Sequence, residues 1–404
     1  MNFTIIRNYN FIFLCLGNLV AYIGEFVYLI ALPWLMLDLT GSKSLTSAIT
    51  ASSFLPALFF GIFFGVIIDK YNKKYIMIYS NLNRLLLVLI IPFCLISNSI
   101  TPFVVAVTTF LLFTFTTFFV PARDSLLPGI LNKVQLSTGN SILTISSQIS
   151  HLLAPIIAGM CVSIFSIIYL FIFCGFCFFI SSIIILLINK PFEQNNFEIS
   201  VFKYKNLIAG ISYIFKIRGL SVLLFLTCIN NIFIMGPAII GLPVFVSEAL
   251  NADFIVYAKL ETAMALGMIV GSIIYLNISK IISINYVLLL GIIIDGATFS
   301  ILYFVKENIF AIIVLFIHGI GIPLITVSRT NIIQIIAPKK YVGRLLSIIY
   351  MTVMGTTAVS ILITGLILEN INIGIFFLFV GFCAVATVFI GFISRSYKKI
   401  LMDK

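Results

Sequence analysis

Residues 65–79 read GVIIDKYNKKYIMIY. Asp69, Lys70, Lys73 and Lys74 crowd into this turn, in a chain of 404 residues of which only 9% are charged. Long apolar runs flank it on both sides. A compact charged turn between two apolar runs of about 20 residues each reads as a helical hairpin that crosses a bilayer and returns. The rest of the chain extends that reading. It is 61% hydrophobic, with a mean hydropathy of +1.22. A soluble chain is about 45–50% apolar and about 25% charged. A water-facing fold cannot bury this much apolar surface, so an all-α membrane protein is expected.

Spans are expected near 11–37, 45–68, 75–97, 101–120, 137–162, 165–189, 219–247, 253–279, 284–305, 308–328, 342–368 and 372–394, twelve in all. The first is too long for the apolar core of a signal peptide and ends in Leu35-Met36-Leu37-Asp38, without small-residue cleavage chemistry, so it reads as a retained helix. Short connections such as Ser97-Asn98-Ser99 make sequence neighbours antiparallel hairpins. The longest polar stretch, Asn189 to Gly219, divides the chain into a six-helix bundle (1–189), a linker with an amphipathic segment (190–218) and a second six-helix bundle (219–404).

Charge placement orients the chain. With both termini cytoplasmic, twenty of the 24 Lys and Arg fall on the inner side. Lys43 and Lys306 lie outside, and Arg84 and Lys259 within the membrane. An excess of Lys and Arg marks cytoplasmic loops, so a plasma-membrane protein with inner termini is expected. The net charge of +11 then reflects orientation and anionic lipid, and does not point to nucleic acid. No phosphate-binding loop is present. The seven cysteines all lie in apolar runs without metal-ligand spacing, and Cys174-Gly-Phe-Cys177 reads as small packing residues, so neither cofactor nor metal is expected.

A shift of 206 positions exposes an internal repeat. Gly61 and Gly65 fall on Gly267 and Gly271, Arg123 on Arg329, and Ala154, Ala158 and Gly159 on Ser360, Thr364 and Gly365. At an offset of 210, Leu32-Pro33 meets Leu242-Pro243. Two halves of like orientation form a parallel repeat, and transporters built this way bind substrate near the midplane between them.

Four passages carry a family resemblance: GEFVYLIALPWLMLDLTGS, GVIIDKYNKKYIMI, PARDSLLPGILNKVQLSTGNS and APKKYVGRLLSI. Together they resemble the major facilitator superfamily, in the branch of drug/proton antiporters that includes macrolide-efflux and siderophore-exporter proteins. The second resembles the superfamily's G-x-x-x-D-[RK]-x-G-[RK]-[RK] loop, and the third resembles the loop between helices 4 and 5. The resemblance implies a conformational latch of Gly65, Asp69, Lys70, Lys73, Lys74 and Arg123, in which Asp69 meets Arg123. The alternative is that the lysines only set orientation. Asn72 stands where the family prefers glycine, and asparagine tolerates left-handed backbone. Ala154, Pro155, Ala158 and Gly159 resemble the helix-5 hinge motif G-P-x-x-G-G, with Ala in place of Gly twice.

Ionisable groups at membrane depth are candidates for function. Glu25 lies about 14 residues, roughly 21 Å, into the first span. It is a candidate for proton coupling, for a structural pair with Arg84, or for substrate contact. Asp295 is deep and without a local basic partner, and His318 is near mid-membrane; both are further proton-coupling candidates. His151 is a weaker one. Lys259 and Glu261, two apart, point to different faces. Phe26, Tyr28, Trp34, Asn230, Asn231, Glu25 and His318 are candidates for the substrate cavity; the alternative is interhelical packing for Asn230 and Asn231, and a neutral hydrogen-bonded packing role for His318.

Together these features imply a secondary active transporter that exports a small lipophilic or amphiphilic compound, such as an antibiotic, by alternating access. Its partners would be that substrate, a proton or sodium ion and the bilayer, and a monomer is expected. An uptake carrier or uniporter for a small metabolite is the alternative, and a non-transporting sensor with the same fold is a remote one. No nucleophile–base pairing suggests an enzyme.

Overall fold

The computed structural model describes residues 7–60, 71–132, 135–189, 216–336 and 339–398. Among these residues the chain is helical, with no strand. Eleven of the described helices are long and apolar enough to cross a membrane. In chain order the helices are α1 (Tyr9–Thr40), α2 (Lys43–Ala51), α3 (Lys73–Ile96), α4 (Pro102–Ile130), α5 (Leu136–Ile164), α6 (Ile168–Leu186), α7 (Arg218–Gly236), α8 (Phe254–Ile278), α9 (Ile284–Leu302), α10 (Asn308–Ile336), α11 (Lys339–Leu368), α12 (Ile373–Ile393) and α13 (Arg395–Lys398). The span expected at 45–68 begins as α2, is helical again over 55–60 after a turn at 52–54, and has its remainder outside the described residues. Gly65, Asp69, Lys70 and most of the 190–218 linker also lie outside them.

Contacts divide the chain into two units, Met1–Leu39 with Ser52–Val201, and Thr40–Ala51 with Phe202–Lys404. Thr40–Ala51 precedes the expected linker in sequence, yet it groups with the second unit because α2 packs on α11.

Local chemistry sets the helix ends. Asn72 is extended (φ −65°, ψ 114°), and its side chain accepts a hydrogen bond from the Lys74 N–H at 3.0 Å. It therefore caps α3, which corrects the expectation of a left-handed turn and explains why asparagine serves here. Thr101 caps α4 ahead of Pro102, and Asp253 caps α8 through the N–H groups of Ile255 and Val256. Asn98 takes positive φ (52°) in the turn between α3 and α4. Residues 121–130, expected to be loop, are the last turns of α4, with Pro121 and Pro128 inside the helix. Each proline deletes a single backbone donor, and such losses are tolerated within bilayer helices.

In the first unit, α3 packs on α4 and α6. Serines fasten α1 to its neighbours: Ser150 Oγ donates to Leu19 O at 2.9 Å, and Ser181 Oγ to Gly17 O at 2.7 Å. The helix ends are tied together as well. Asn10 and Asn189 exchange two hydrogen bonds, and Lys74 Nζ donates to Ile188 O at 2.8 Å, capping the carbonyl end of α6. Cys174 and Cys177 are buried in α6.

In the second unit, α8 crosses α10 at Gly267, Gly271 and Gly319. A Cβ on Gly267 would run into the Phe316 carbonyl, so only glycine permits this approach. α7 continues as a π-helical turn at Pro237–Gly241, an α turn at Leu242–Val244 and a second π turn at Phe245–Ala249. Pro237 and Pro243 lack the N–H groups that would hold a regular ladder there. At the outer edge of α2, one carboxylate oxygen of Glu369 accepts from Ser44 N–H (2.9 Å), Ser44 Oγ (2.9 Å) and Ser42 Oγ (2.8 Å). Lys43 pairs with Glu248 at 2.7 Å and donates to Leu368 O at 3.0 Å.

Two outcomes follow from this packing. Gly267→Leu should lower the thermal unfolding temperature of the purified protein in detergent by several degrees or prevent folding, whereas Met268→Leu on the same helix should not. The Ser44 N–H, with the Ser42 and Ser44 hydroxyls, holds the Glu369 carboxyl down at about 2. Its folded value lies below that of a free carboxylate, so its stabilising contribution is present above the ordinary carboxylate range and lost only as pH falls through about 2. Glu369→Gln should therefore lower the unfolding temperature equally at about pH 5.5 and about pH 8, both above that range.

Candidate functional site

The first unit builds its site from α1, α3, α4, α5 and α6. Arg84 on α3 is fully buried, and its Nη2 meets Glu25 Oε2 on α1 at 2.7 Å. The Glu25 side chain remains 12% exposed, against 0% for Arg84, so the pair is reachable only from the carboxylate side. Arg84 Nη1 donates to Asn81 Oδ1 at 3.3 Å, Asn81 donates to Ser181 Oγ at 2.8 Å, and Ser181 passes the chain to Gly17 O. The guanidinium also lies 4.0 Å from the Phe178 ring centroid, an attractive cation–π contact. Arg84 Nε has no hydrogen-bond partner among the described residues.

A second arginine lies further along the same face of α1. Arg123 binds Asp124 through Nε and Nη2 (2.8 and 2.7 Å), while its Nη1 donates to Asn18 Oδ1 (2.9 Å) and Tyr22 OH (3.0 Å). Asn18 donates onward to Ser146 Oγ on α5 at 3.4 Å. The expected partner Asp69 lies outside the described residues. Tyr22 stacks on Phe26, and Phe26 meets His151 edge-on at 4.8 Å. His151 Nδ1 is buried without a hydrogen-bond partner among the described residues. Trp34 is half-buried. Ala154, Pro155 and Ala158 are buried within the continuous helix α5, with Gly159 half-buried.

Two cavity candidates are engaged by protein partners, and for Asn231 the contacts are those of the interhelical packing alternative. Tyr28 is fully buried between Phe113 and Phe171, and its hydroxyl bonds Thr109 at 2.6 Å, so it packs α1 on α4. Asn231 spends its amide on Val353 O, Thr356 Oγ1 and Thr357 Oγ1 of α11 at 2.8–3.0 Å, which makes it an interhelical clamp. Its neighbour Asn230 is buried, with Oδ1 unpartnered among the described residues.

Asp295 and His318, read singly in the sequence, meet in the second unit. His318 Nδ1 lies 3.9 Å from Asp295 Oδ1 and 2.9 Å from Thr298 Oγ1. Asp295 therefore does have a basic neighbour, supplied by α10. The two residues are nearly symmetric about the Tyr303–Glu307 turn, so an antiparallel hairpin brings them to one level; that symmetry was the available signal. Lys259 is exposed and Glu261 buried beside Tyr257, consistent with opposite faces. A cavity of about 390 Å³ opens among the ends of α7, α9 and α12, near Asn251, Tyr303, Lys306 and Asn372, and no candidate residue lines it. The polar partners Asn18, Asn81, Ser181 and Thr298 gave no signal of their own in the sequence.

Comparison with known proteins identifies the family. The family described as transmembrane secretion effector matches residues 2–400. An uncharacterized MFS-type transporter, YvqJ of Bacillus subtilis (strain 168), is 24% identical over 349 residues, covering 83% of this chain and 81% of that protein. Macrolide efflux protein A of Streptococcus pyogenes is 20% identical over 371 residues, 90% and 91% of the two chains. Among solved structures, the nucleoside transporter NupG superposes with a TM-score of 0.75 at 12% identity, covering 96% of this chain and 98% of that one. A bacterial homologue of the human lysosomal transporter Spinster gives 0.70 at 12% identity, covering 98% and 96%. Eleven bilayer-length helices among the described residues, polar groups gathered inside each unit and a match over nearly the whole length converge: the chain is a multi-pass, all-helical membrane protein of the transmembrane secretion effector family, with the major facilitator fold.

Proposed function

We propose that this secondary transporter exports a small lipophilic or amphiphilic compound in exchange for protons, with Glu25 as the coupling acid. The observation that carries the reading is the asymmetric Glu25–Arg84 pair. Its arginine is sealed in the core, while its carboxylate keeps a narrow opening. Protonating Glu25 removes the ion pair, yet Arg84 stays in place through Asn81 and the Phe178 ring. The buried cation then has no counter-ion, a costly state that favours a different arrangement of the unit. Deprotonation restores the pair. A side chain that alternates between these two conditions as it gains access to opposite faces of the membrane couples proton entry to substrate exit. Phe26, stacked on Tyr22 and edge-on to His151, offers an apolar and aromatic surface one residue away. The likeness to macrolide efflux protein A supports a lipophilic substrate class. In this reading the protein is a plasma-membrane monomer with cytoplasmic termini and two repeat halves, and Lys73 and Lys74 help to set that orientation.

The test uses inverted membrane vesicles energised by a proton gradient, with ethidium and erythromycin as probes. Wild type should accumulate one or both, and a protonophore should abolish the accumulation. Glu25→Gln should reduce gradient-driven accumulation by at least about tenfold while preserving expression and probe binding. Undiminished accumulation in that variant removes Glu25 from coupling, and accumulation in the opposite vesicle orientation makes the protein an uptake carrier.

Arg84→Met strands the carboxylate. Breaking a buried pair from one side costs about 3–5 kcal/mol, so this variant should show a clear loss of unfolding temperature. The double variant Glu25→Gln/Arg84→Met should recover part of that loss, because neither unpaired charge remains.

A further inference from the structure

Asp295 and His318 form a second buried acid–base pair, for which the Glu25 scheme has no use. They are 2% and 1% exposed. Thr298 Oγ1 lies 2.7 Å from Ile294 O and 2.9 Å from Asp295 O, so its single hydrogen goes to a backbone carbonyl. Its lone pair then faces His318 Nδ1 at 2.9 Å, and that nitrogen carries a hydrogen. The Nδ1–H therefore sits between Thr298 Oγ1 and Asp295 Oδ1. Asp295 Oδ1 has no hydrogen-bond partner among the described residues. The imidazole lies flat on the Phe299 ring, with centroids 4.4 Å apart and planes within 6°. Gly321 completes the cradle, since a Cβ there would stand 2.5 Å from Asp295 Oδ1.

Among the described residues, the surroundings offer this pair no other charge. α9 packs on α10 and α12, and α10 on α8 and α11. Phe377 of α12 meets Phe299, and Met264 and Gly267 of α8 meet Gly319. The titratable groups on these helices are Tyr257, Lys259, Glu261 and Tyr275 on α8, Tyr286 on α9, Arg329 on α10, Cys383 on α12, and Lys339, Lys340, Tyr341, Arg344 and Tyr350 on α11. Glu261 is bonded by Tyr257, and among the described residues no ion pair joins any of these groups to Asp295 or His318. An ionised carboxylate with an unbonded oxygen beside a neutral imidazole would be an uncompensated buried charge. Two arrangements avoid it, carboxylic acid with neutral imidazole, and carboxylate with imidazolium. The two arrangements differ in where one proton resides, which a neutral imidazole protonated at Nδ1 accepts at Nε2, and the net charge of the pair is the same in both.

We propose that Asp295, His318 and Thr298 form a second proton-binding site, distinct from Glu25, that holds one exchangeable proton on either its carboxyl or its imidazole. The proton departs only when water or another charge reaches the pair. The site's protonation stands without the export reading, whereas its part in transport rests on that reading.

Infrared difference spectroscopy of the full chain in lipid vesicles, titrated with pH in H2O and D2O, tests this without any substrate. A deuterium-sensitive protonated-carboxyl band should be present in wild type, vanish in Asp295→Asn and persist in Glu25→Gln. His318→Asn removes the imidazolium that stabilises the carboxylate, so the band should persist to higher pH by roughly one pH unit or more. Thermal unfolding checks that each variant is folded. If Asp295→Asn fails to fold, Asp295→Glu should move the band and so carry the assignment. A band that is insensitive to substitution at Asp295 overturns the site, as does one lost only in Glu25→Gln. A titration unmoved by His318→Asn reduces the pair to packing. Failure of vesicle transport with these bands intact would count against export and leave the site standing.

Discussion

A guanidinium sealed from water must find all its partners inside the protein, and in the first unit that requirement falls on Arg84. Its charge is met by Glu25, one of its nitrogens by Asn81, and one face by the ring of Phe178. Satisfying it draws in α1, α3 and α6, because the bonds continue through Ser181 to the backbone of α1. Removing any member leaves a polar group in a medium that offers no substitute. The same network ties the proposed function to stability, since the acid that would carry a proton also neutralises the core.

The second unit solves the same problem with less charge. Its helices approach through glycine at the α8–α10 crossing and through hydroxyl and amide bonds between α7 and α11, where Asn231 engages three acceptors and Ser360 links Gly236 N–H to Ile232 O. In lipid the hydrophobic effect does not drive helices together, so close packing and interhelical hydrogen bonds carry the association. The π-helical turns of α7 depart from regular geometry where two prolines interrupt the donor ladder.

The spans and their short turns were legible in the sequence, because both follow from bilayer thickness, which acts on residues one at a time. Depth alone also marked Glu25, Arg84, Asp295 and His318, since an ionisable residue among apolar ones stands out. Their partners did not stand out. Asn18, Asn81, Ser181 and Thr298 are ordinary polar residues in helices, and only the rotation of each helix about its axis shows which neighbours they reach. Tyr28 and Asn231 looked like cavity residues for the same reason, being placed at the right depth with no indication of the face they take.

The sequence by itself determined that this is a multi-spanning membrane transporter and which few residues carry charge into the bilayer. Tertiary structure alone decided that Asp295 meets His318 and that Asn72 caps a helix rather than bending a turn, and it formed the Glu25–Arg84 pair that the sequence offered as one alternative. Depth along a helix is additive in residues and can be counted from the chain. The facing of one helix towards another depends on the shapes of every side chain between them, and no local count contains it.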